Sequence, residues 1–356
     1  MAGLAALAVS QGIGRFAMTP ILPLMQEEGL SLSEGGWLAA ANYLGYLAGA
    51  LSTIWLRLNP SVAIRAALLA IGMATLAMGV IDGFASWLAL RFVAGVASGW
   101  VLVLVSAWAL ERLAEARRPQ LAGVLYAGVG TGMAIAGIVC LFGFGGDANW
   151  IALGAIALVA AGGTWGAFSF PQGAQDERTA ASPGGWLLIL CYGAYGFGYI
   201  VPATFLPAMA RQIIAEPLAF GSAWPVLGIA AAVSTLVASR FGAANPRRVW
   251  AICMLLLACG VAAPLFVTGL AGILLSAVLV GATFVTITLA GLQEARHLFG
   301  AAARPVMAAM TAAFAVGQLI GPILVALAER VPHGFTLVLV SATVVLLASA
   351  SALVRR

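Results

Sequence analysis

Lysine is absent from this chain, and all seventeen of its basic residues are arginine. Charge of either sign is scarce: 8% of the 356 residues are charged while 63% are hydrophobic, against about a quarter charged in an ordinary soluble domain. That balance leaves too little polar surface to keep a globule in water, so a soluble fold is excluded and an integral membrane protein is expected. The lysine-free usage, with abundant alanine and glycine, points to a GC-rich bacterial genome rather than to a mechanism. Histidine is limited to His297 and His333, both at loop margins, and no His-Glu-x-x-His occurs, which removes zinc hydrolase chemistry. The four cysteines, Cys140, Cys191, Cys253 and Cys259, lie in apolar runs without metal-type spacing and are read as buried free thiols. No cofactor or metal site is expected. Long polar segments are missing too, apart from PQGAQDERTAASPGG at 171–185, so any chemistry happens between helices.

What is present is a series of apolar runs of bilayer-spanning length. With about 20 residues as the ruler, twelve spans are expected near 3–24, 35–56, 62–82, 86–110, 120–143, 148–170, 185–209, 221–239, 248–268, 270–293, 304–328 and 334–354. The first span is expected to direct insertion itself. Thirteen loop arginines then fall on the side of the amino terminus and only Arg211 and Arg330 on the other, which places both termini in the cytoplasm. The net charge of +5 is accounted for by that asymmetry and needs no nucleic-acid partner. The expected organisation is a six-helix bundle over 1–170, a cytoplasmic linker over 171–184 and a second six-helix bundle over 185–356.

A repeat joins the two bundles. A shift of 184 positions aligns Gly12, Gly14, Leu22, Pro23 and Met25 with Gly196, Gly198, Leu206, Pro207 and Met209, and a shift of 186 aligns Arg118-Pro119 with Arg304-Pro305. Parallel repeats of this kind put a binding site on the pseudo-twofold axis at mid-membrane. Arg15 stands near that depth, in QGIGRFAMTPILPLM, where a charge costs at least ~2.5 to 3.5 kcal/mol and belongs to a protein interior or watery cavity. Two readings of it remain open. It contacts substrate, or it ties backbone carbonyls freed by Pro20 and Pro23.

Twelve spans, a mid-chain linker and two parallel halves resemble the major facilitator superfamily of secondary transporters. The opening GIGRFAMTPILPLMQEEGLSLSEGGWLAAANYLGYLAGAL looks like that superfamily's bacterial YbfB/YjiJ branch. LALRFVAGVASGW, with Arg91, Gly95 and Gly99, resembles the fourth-helix signature associated with proton coupling. RFGAANPRRV resembles the cytoplasmic gating motif through Arg240, Gly242, Arg247 and Arg248, with Ser239 where an aspartate is expected; RLNPSVAIR in the first half keeps almost none of it. GVGTGMAIAG is similar to the glycine-rich fifth-helix motif of drug and proton antiporters, with Ile138 in place of its proline. The resemblance implies an all-α membrane protein of two pseudo-symmetric bundles working by alternating access.

It also implies that spans one, four, seven and ten line the cavity. Substrate-binding candidates are then Arg15, Gln11, Trp100, Tyr192, Tyr195 and Tyr199, with Ser106, Thr283, Thr286 and Gln293 beside them. The three tyrosines lie at i, i+3 and i+7 on one helical face, where ordinary packing is the competing reading. Asn42, Tyr43 and Tyr46 on span two are placed as supports for Arg15. Coupling or gating is assigned to Arg91, which can pair with Asp82 across a short loop, to Glu294 and to Arg240, Arg247 and Arg248. None of the acidic residues falls at mid-membrane, Glu294 being nearest, so the unbalanced cavity cation favours an anionic substrate. Proton symport, anion exchange and facilitation all remain open. The alternatives are proton-coupled efflux of lipophilic drugs and, from another class, an intramembrane enzyme, for which Ser98 in Gly-Val-Ala-Ser-Gly is the nearest nucleophile but has no histidine base within a span. Expected partners are a small-molecule substrate, membrane lipid and, if coupled, protons, the chain acting as a monomer in a bacterial inner membrane.

Overall fold

The structure, a computed structural model, describes residues 1–55, 59–142, 144–168, 185–213, 217–242, 245–328 and 332–355. The linker expected at 171–184, together with Arg57 and Arg330, lies outside those residues, as does the side chain of Arg211. The chain makes twelve helical passes, and no strand occurs among the described residues. Pass one is built from α1 (Ala2–Leu7), a π-helical segment (Ala8–Ile13) and α2 (Met18–Glu27). Passes two to six are α3 (Leu32–Ser52), α4 (Pro60–Ala77), α5 (Phe84–Glu115), α6 (Ala122–Leu141) and α7 (Gly146–Gly163). Passes seven to twelve are α8 (Trp186–Ile213), α9 (Pro217–Gly242), α10 (Pro246–Phe266), α11 (Gly269–Phe299), α12 (Ala303–Ala328) and α13 (Gly334–Val354). Nine described helices are long and apolar enough to cross a membrane. Pass one escapes that measure because it is broken, and passes two and eight fall short of it as well.

The break was not expected from its apolar pattern, and it has a local cause. The amides of Gly14 and Phe16 reach back five residues, to the carbonyls of Val9 and Gln11, the i→i−5 pattern of a π-helix. Pro20 has no N–H to give the Phe16 carbonyl, and the Thr19 amide takes that carbonyl instead, at 3.2 Å. In a regular helix Thr19 would have served Arg15. The Arg15 carbonyl is therefore released from the helix in the middle of the membrane.

Local sequence also starts the other passes. Ser31 and Glu34 form a capping box at α3, the reciprocal arrangement that satisfies two orphan amides. Asn59 caps α4 by accepting from the Ser61 amide, with Pro60 at the first helical position. Asn245 caps α10 by accepting from the Arg248 amide, again with proline, Pro246, at the first position. These two Asn-Pro starts stand at the shift of 186 already set by Arg118-Pro119 and Arg304-Pro305, a third anchor that the sequence reading passed over.

Glycine-mediated approach holds the passes together. A Cβ on Gly12 would overlap the Gly132 backbone of pass five, and one on Gly196 would overlap the Phe314 backbone of pass eleven. The repeat thus places corresponding glycines against corresponding helices. Between the halves, passes five and eight run in contact: Gly130 lies against the backbone of Gly228 and Ala231, and the ring of Pro225 occupies the space where Gly137 lacks a side chain. The proline missing after Gly137 is in this sense supplied by the opposing helix, while Ile138 points outward, 44% exposed. Small-residue contacts of this kind are how helices associate in lipid, where no hydrophobic force separates helix from solvent.

Because backbone opposes Gly130, replacing it with leucine forces passes five and eight apart. Gly130→Leu is expected to lower the thermal unfolding midpoint of the detergent-purified protein, at a cost of about 1–3 kcal/mol or more from overpacking. Gly162→Ala, where an added Cβ meets nothing, serves as the control and is expected to leave the midpoint unchanged.

Candidate functional site

The broken first pass organises the site. Arg91, on the second turn of α5, is buried, and its two terminal nitrogens donate to the carbonyls of Gly14 and Arg15 at 3.1 Å each. Asn42 of α3 donates to the same Gly14 carbonyl at 3.3 Å and to the Arg91 carbonyl at 3.0 Å. An unpaired backbone carbonyl in the membrane interior costs several kcal/mol, so these side chains make the break tolerable. The structural role considered for Arg15 is thus carried by Arg91. The expected pairing of Arg91 with Asp82 is not seen, since Asp82 is exposed at the end of the loop and the guanidinium points inward. Asn42 likewise supports backbone rather than the Arg15 side chain.

With its own carbonyl held, Arg15 turns its side chain toward the other half. Nη1 donates to Oε1 of Gln11, one helical turn back, at 3.1 Å, and Nη2 donates to Oε1 of Gln318 on α12. Gln11 in turn donates to the Ser98 carbonyl at 3.1 Å, and Ser98 donates to the Ser10 carbonyl at 2.8 Å. The Arg15 guanidinium carbon sits 3.9 Å from the centre of the Tyr46 ring, 5.1 Å from Phe16 and 5.6 Å from Phe314. Cation–π contacts of this type are worth about 0.5–2 kcal/mol each, more where desolvated. Among the described residues no carboxylate pairs with Arg15 or Arg91. The acid buried among them is Glu294.

The tyrosine stripe of pass seven enters through rings rather than hydroxyls. Tyr199 stacks on Phe284 of α11 at 5.0 Å, and Tyr195 donates to the Phe284 carbonyl at 2.7 Å. Phe284 meets Phe16 edge-on at 6.0 Å, and Phe314 lies 4.8 Å from Tyr195. Arg15 therefore connects to Tyr195 and Tyr199 through Phe314 and Phe16. Tyr192 sits one turn away, packed edge-on against Trp250 of α10, inside the second bundle.

Trp100 is not brought to the site. Its indole donates to Ser52 at 2.8 Å, at the far end of α3, and nine residues of helix put it about 13 Å from Arg91 along the axis. Ser106 accepts from Tyr126 within the first bundle at 2.8 Å, and Thr286 donates to Ser234 at 3.2 Å within the second. Gln318, Phe314, Phe284 and Phe16 were not on the sequence-derived site. Gln318 carried one signal, an amide inside the apolar run of GQLIGP.

The residues expected to gate collect at the face of the bundle that bears the chain ends. Arg247 Nε donates to Glu294 at 2.8 Å, with His297 at 3.9 Å from the same carboxylate. Two links cross between the bundles there: Arg296 with Glu111 at 3.7 Å, and Arg304 donating to the Thr53 carbonyl at 3.3 Å. Arg240 and Arg248 are exposed, and Ser239, where an aspartate was expected, packs against Gly123. The ion pair at this face is thus built on Glu294, within the second bundle, rather than on an acid at position 239.

The two guanidiniums make different demands on the fold. Arg91→Met is expected to destabilise the protein by about 1–3 kcal/mol, because the Arg15 carbonyl loses its donor in a dry interior. Asp82→Asn is expected to stay within about 0.5 kcal/mol of wild type. Thermal unfolding of both variants in one detergent checks the contrast, and equal losses would restore an Arg91–Asp82 pairing.

Comparison with known proteins bears on the family and the fold. The sequence model of the family described as uncharacterised MFS-type transporter YbfB matches residues 7–354. No curated protein matches. Among solved structures, the human organic anion transporter MFSD10 (TETRAN) superimposes with a TM-score of 0.78 at 14% identity, covering 99% of this chain and 98% of its own; at that identity the likeness is one of fold. A membrane transporter rather than an enzyme is the outcome, and Ser98, whose hydroxyl is spent on the Ser10 carbonyl, is a packing residue. The chain belongs to the major facilitator superfamily, within the family typified by the uncharacterised YbfB-type transporters.

Proposed function

We propose that this transporter moves a small organic anion by alternating access, and that Arg15 binds its carboxylate. The observation that carries the reading is a buried guanidinium between the two bundles that is bonded to neutral groups, two glutamine oxygens and aromatic rings. A cation there is stabilised further by any ligand that brings a carboxylate, since a guanidinium holds the two oxygens with parallel charge-assisted bonds. The contact from Arg15 to Gln318 joins pass one to pass eleven, so a ligand that replaces it acts on the junction where the bundles move. The arginine bias of the loops supports a bacterial cytoplasmic membrane with both termini inside. The organic anion transport named for the structural neighbour is compatible with this reading and, at its low identity, adds only compatibility. Drug efflux is disfavoured by the same charge, because a lipophilic cation would meet Arg15 with no carboxylate to offset it.

A thermal-shift screen of the purified protein against carboxylates, sugars, amino acids and cationic dyes tests the class of ligand, because a ligand of the native state raises apparent stability. Stabilisation confined to carboxylates is expected, and stabilisation confined to cations overturns the reading. For the carboxylate so found, Arg15→Ala is expected to weaken half-saturation of uptake in proteoliposomes by about tenfold to a hundredfold, the loss of about 1.5–3 kcal/mol for charged hydrogen bonds. Arg15→Lys is expected to fall between, and undiminished uptake by both variants sinks the assignment.

A further inference from the structure

Gln318 lies 303 residues from Arg15 in sequence and is fully buried. Its Oε1 occupies Nη2 of Arg15, while its Nε2 is buried with no hydrogen-bond partner. On the other side of the contact, Nε of Arg15 is also buried without a partner. An unmatched donor inside a membrane protein is costly, and here two stand at one junction. A single carboxylate satisfies both. One oxygen accepts from Nε of Arg15 and the other from Nη2, displacing the amide oxygen, and the released Gln318 amide donates through Nε2 to the second oxygen. A charge-assisted bond is roughly twice as strong as one to a neutral oxygen, so the carboxylate outcompetes the amide that holds its place.

The number of carboxylates is set by the second arginine. Both terminal nitrogens of Arg91 donate to the carbonyls of Gly14 and Arg15, with only its Nε unpartnered, so Arg15 is the one guanidinium that reaches the second bundle for a ligand. A dicarboxylate would bury its second charge without a cation. An amino acid would bury an ammonium beside Arg15, and the nearest buried acid, Glu294, is held by Arg247.

The body of the ligand is set by rings. Phe16 on pass one meets Phe284 on pass ten at 6.0 Å, Phe284 stacks on Tyr199, and Phe314 lies beside Arg15. The contact of Phe16 with Phe284, like that of Arg15 with Gln318, crosses from one bundle to the other. Separating the bundles opens ring faces next to the guanidinium, and faces so placed take another aromatic ring in offset or edge-on geometry.

Building on the anion reading above, we infer that Arg15 and Gln318 together clamp one carboxylate beside a slot of aromatic rings, so that the substrate is an aromatic monocarboxylate. The test is a thermal-shift titration of the full-length purified protein with benzoate and phenylacetate, set against acetate, phthalate, benzamide and phenylalanine. At least one of the two aromatic monocarboxylates is expected to stabilise the protein at concentrations about tenfold lower than acetate or phthalate, with no shift from benzamide or phenylalanine. Gln318→Leu is expected to raise the required concentration by about tenfold. Gln318→Glu is expected to abolish the shift, because its own carboxylate occupies Arg15, while the protein stays folded without ligand. If Gln318→Leu does not fold, Gln318→Glu decides: an undiminished shift in that variant overturns the clamp. Phthalate or acetate acting as strongly as benzoate, with the effect lost in Arg15→Ala, leaves the anion reading standing and overturns the aromatic monocarboxylate. Stabilisation by cations or sugars alone overturns both.

Discussion

Two guanidiniums lie in the apolar interior with no carboxylate paired to either among the described residues, and the arrangement around them follows from that constraint. A charge in a low-dielectric interior is held by whatever dipoles and rings the fold can aim at it. Arg91 is held within the first bundle, its terminal nitrogens by backbone carbonyls that the break in pass one exposes and its Nε left buried without a partner. Arg15 is not solved within one bundle. Its hydrogen bonds go to one amide from its own helix and one from pass eleven, with rings closing the remainder.

The two arginines are coupled by a single peptide. Arg91 holds the carbonyl of Arg15 itself, so the backbone that carries the site's cation is fixed to pass four while its side chain reaches the opposite bundle. Pro20 and the π-helical segment release the carbonyl, Arg91 and Asn42 satisfy what is released, and the side chain is left pointing at Gln318. A straight, fully bonded first helix would have offered neither carbonyl to pass four. The irregularity is what joins passes one, two, four and eleven at one depth, and irregular backbone is tolerated in membranes only where protein surrounds it.

Much of this was legible in the sequence and some could not have been. Span count follows from run length alone, and the corresponding glycines Gly12 and Gly196 mark corresponding contacts because close helix approach in lipid requires a missing side chain. Arg15 was visible because one charge in an apolar run is an anomaly whatever surrounds it. The division of labour between Arg15 and Arg91 was hidden, since both look alike in sequence and only the direction of each side chain separates them. Trp100 was misplaced because assignment to a lining helix says nothing about depth along it. Gln318 escaped because the contact that gives it meaning spans 303 residues, and a neutral amide is a weaker anomaly than a charge. The π-helical turn left no trace in periodicity, because almost all its residues are buried, the polar Ser10 and Gln11 included.

Besides the glycine packing of passes five and eight, the polar and aromatic contacts that cross between the bundles differ in kind at the two levels where they are seen. At the face bearing the chain ends they involve exposed or half-buried charges, Arg296 with Glu111 and Arg304 with a carbonyl, and such pairs are worth about 0–1 kcal/mol where water reaches them. At mid-membrane the crossing contacts are a neutral amide on a guanidinium and rings against rings. Under the proposed alternating access both sets would break and re-form as the bundles move. A ligand shifts such an equilibrium only by its differential affinity for the two arrangements, and the mid-membrane set is the one a carboxylate can replace directly. The unmatched charge thus stands at the junction of the bundles: the fold leaves one cation without a carboxylate where, under the proposed function, a ligand would bridge the two halves.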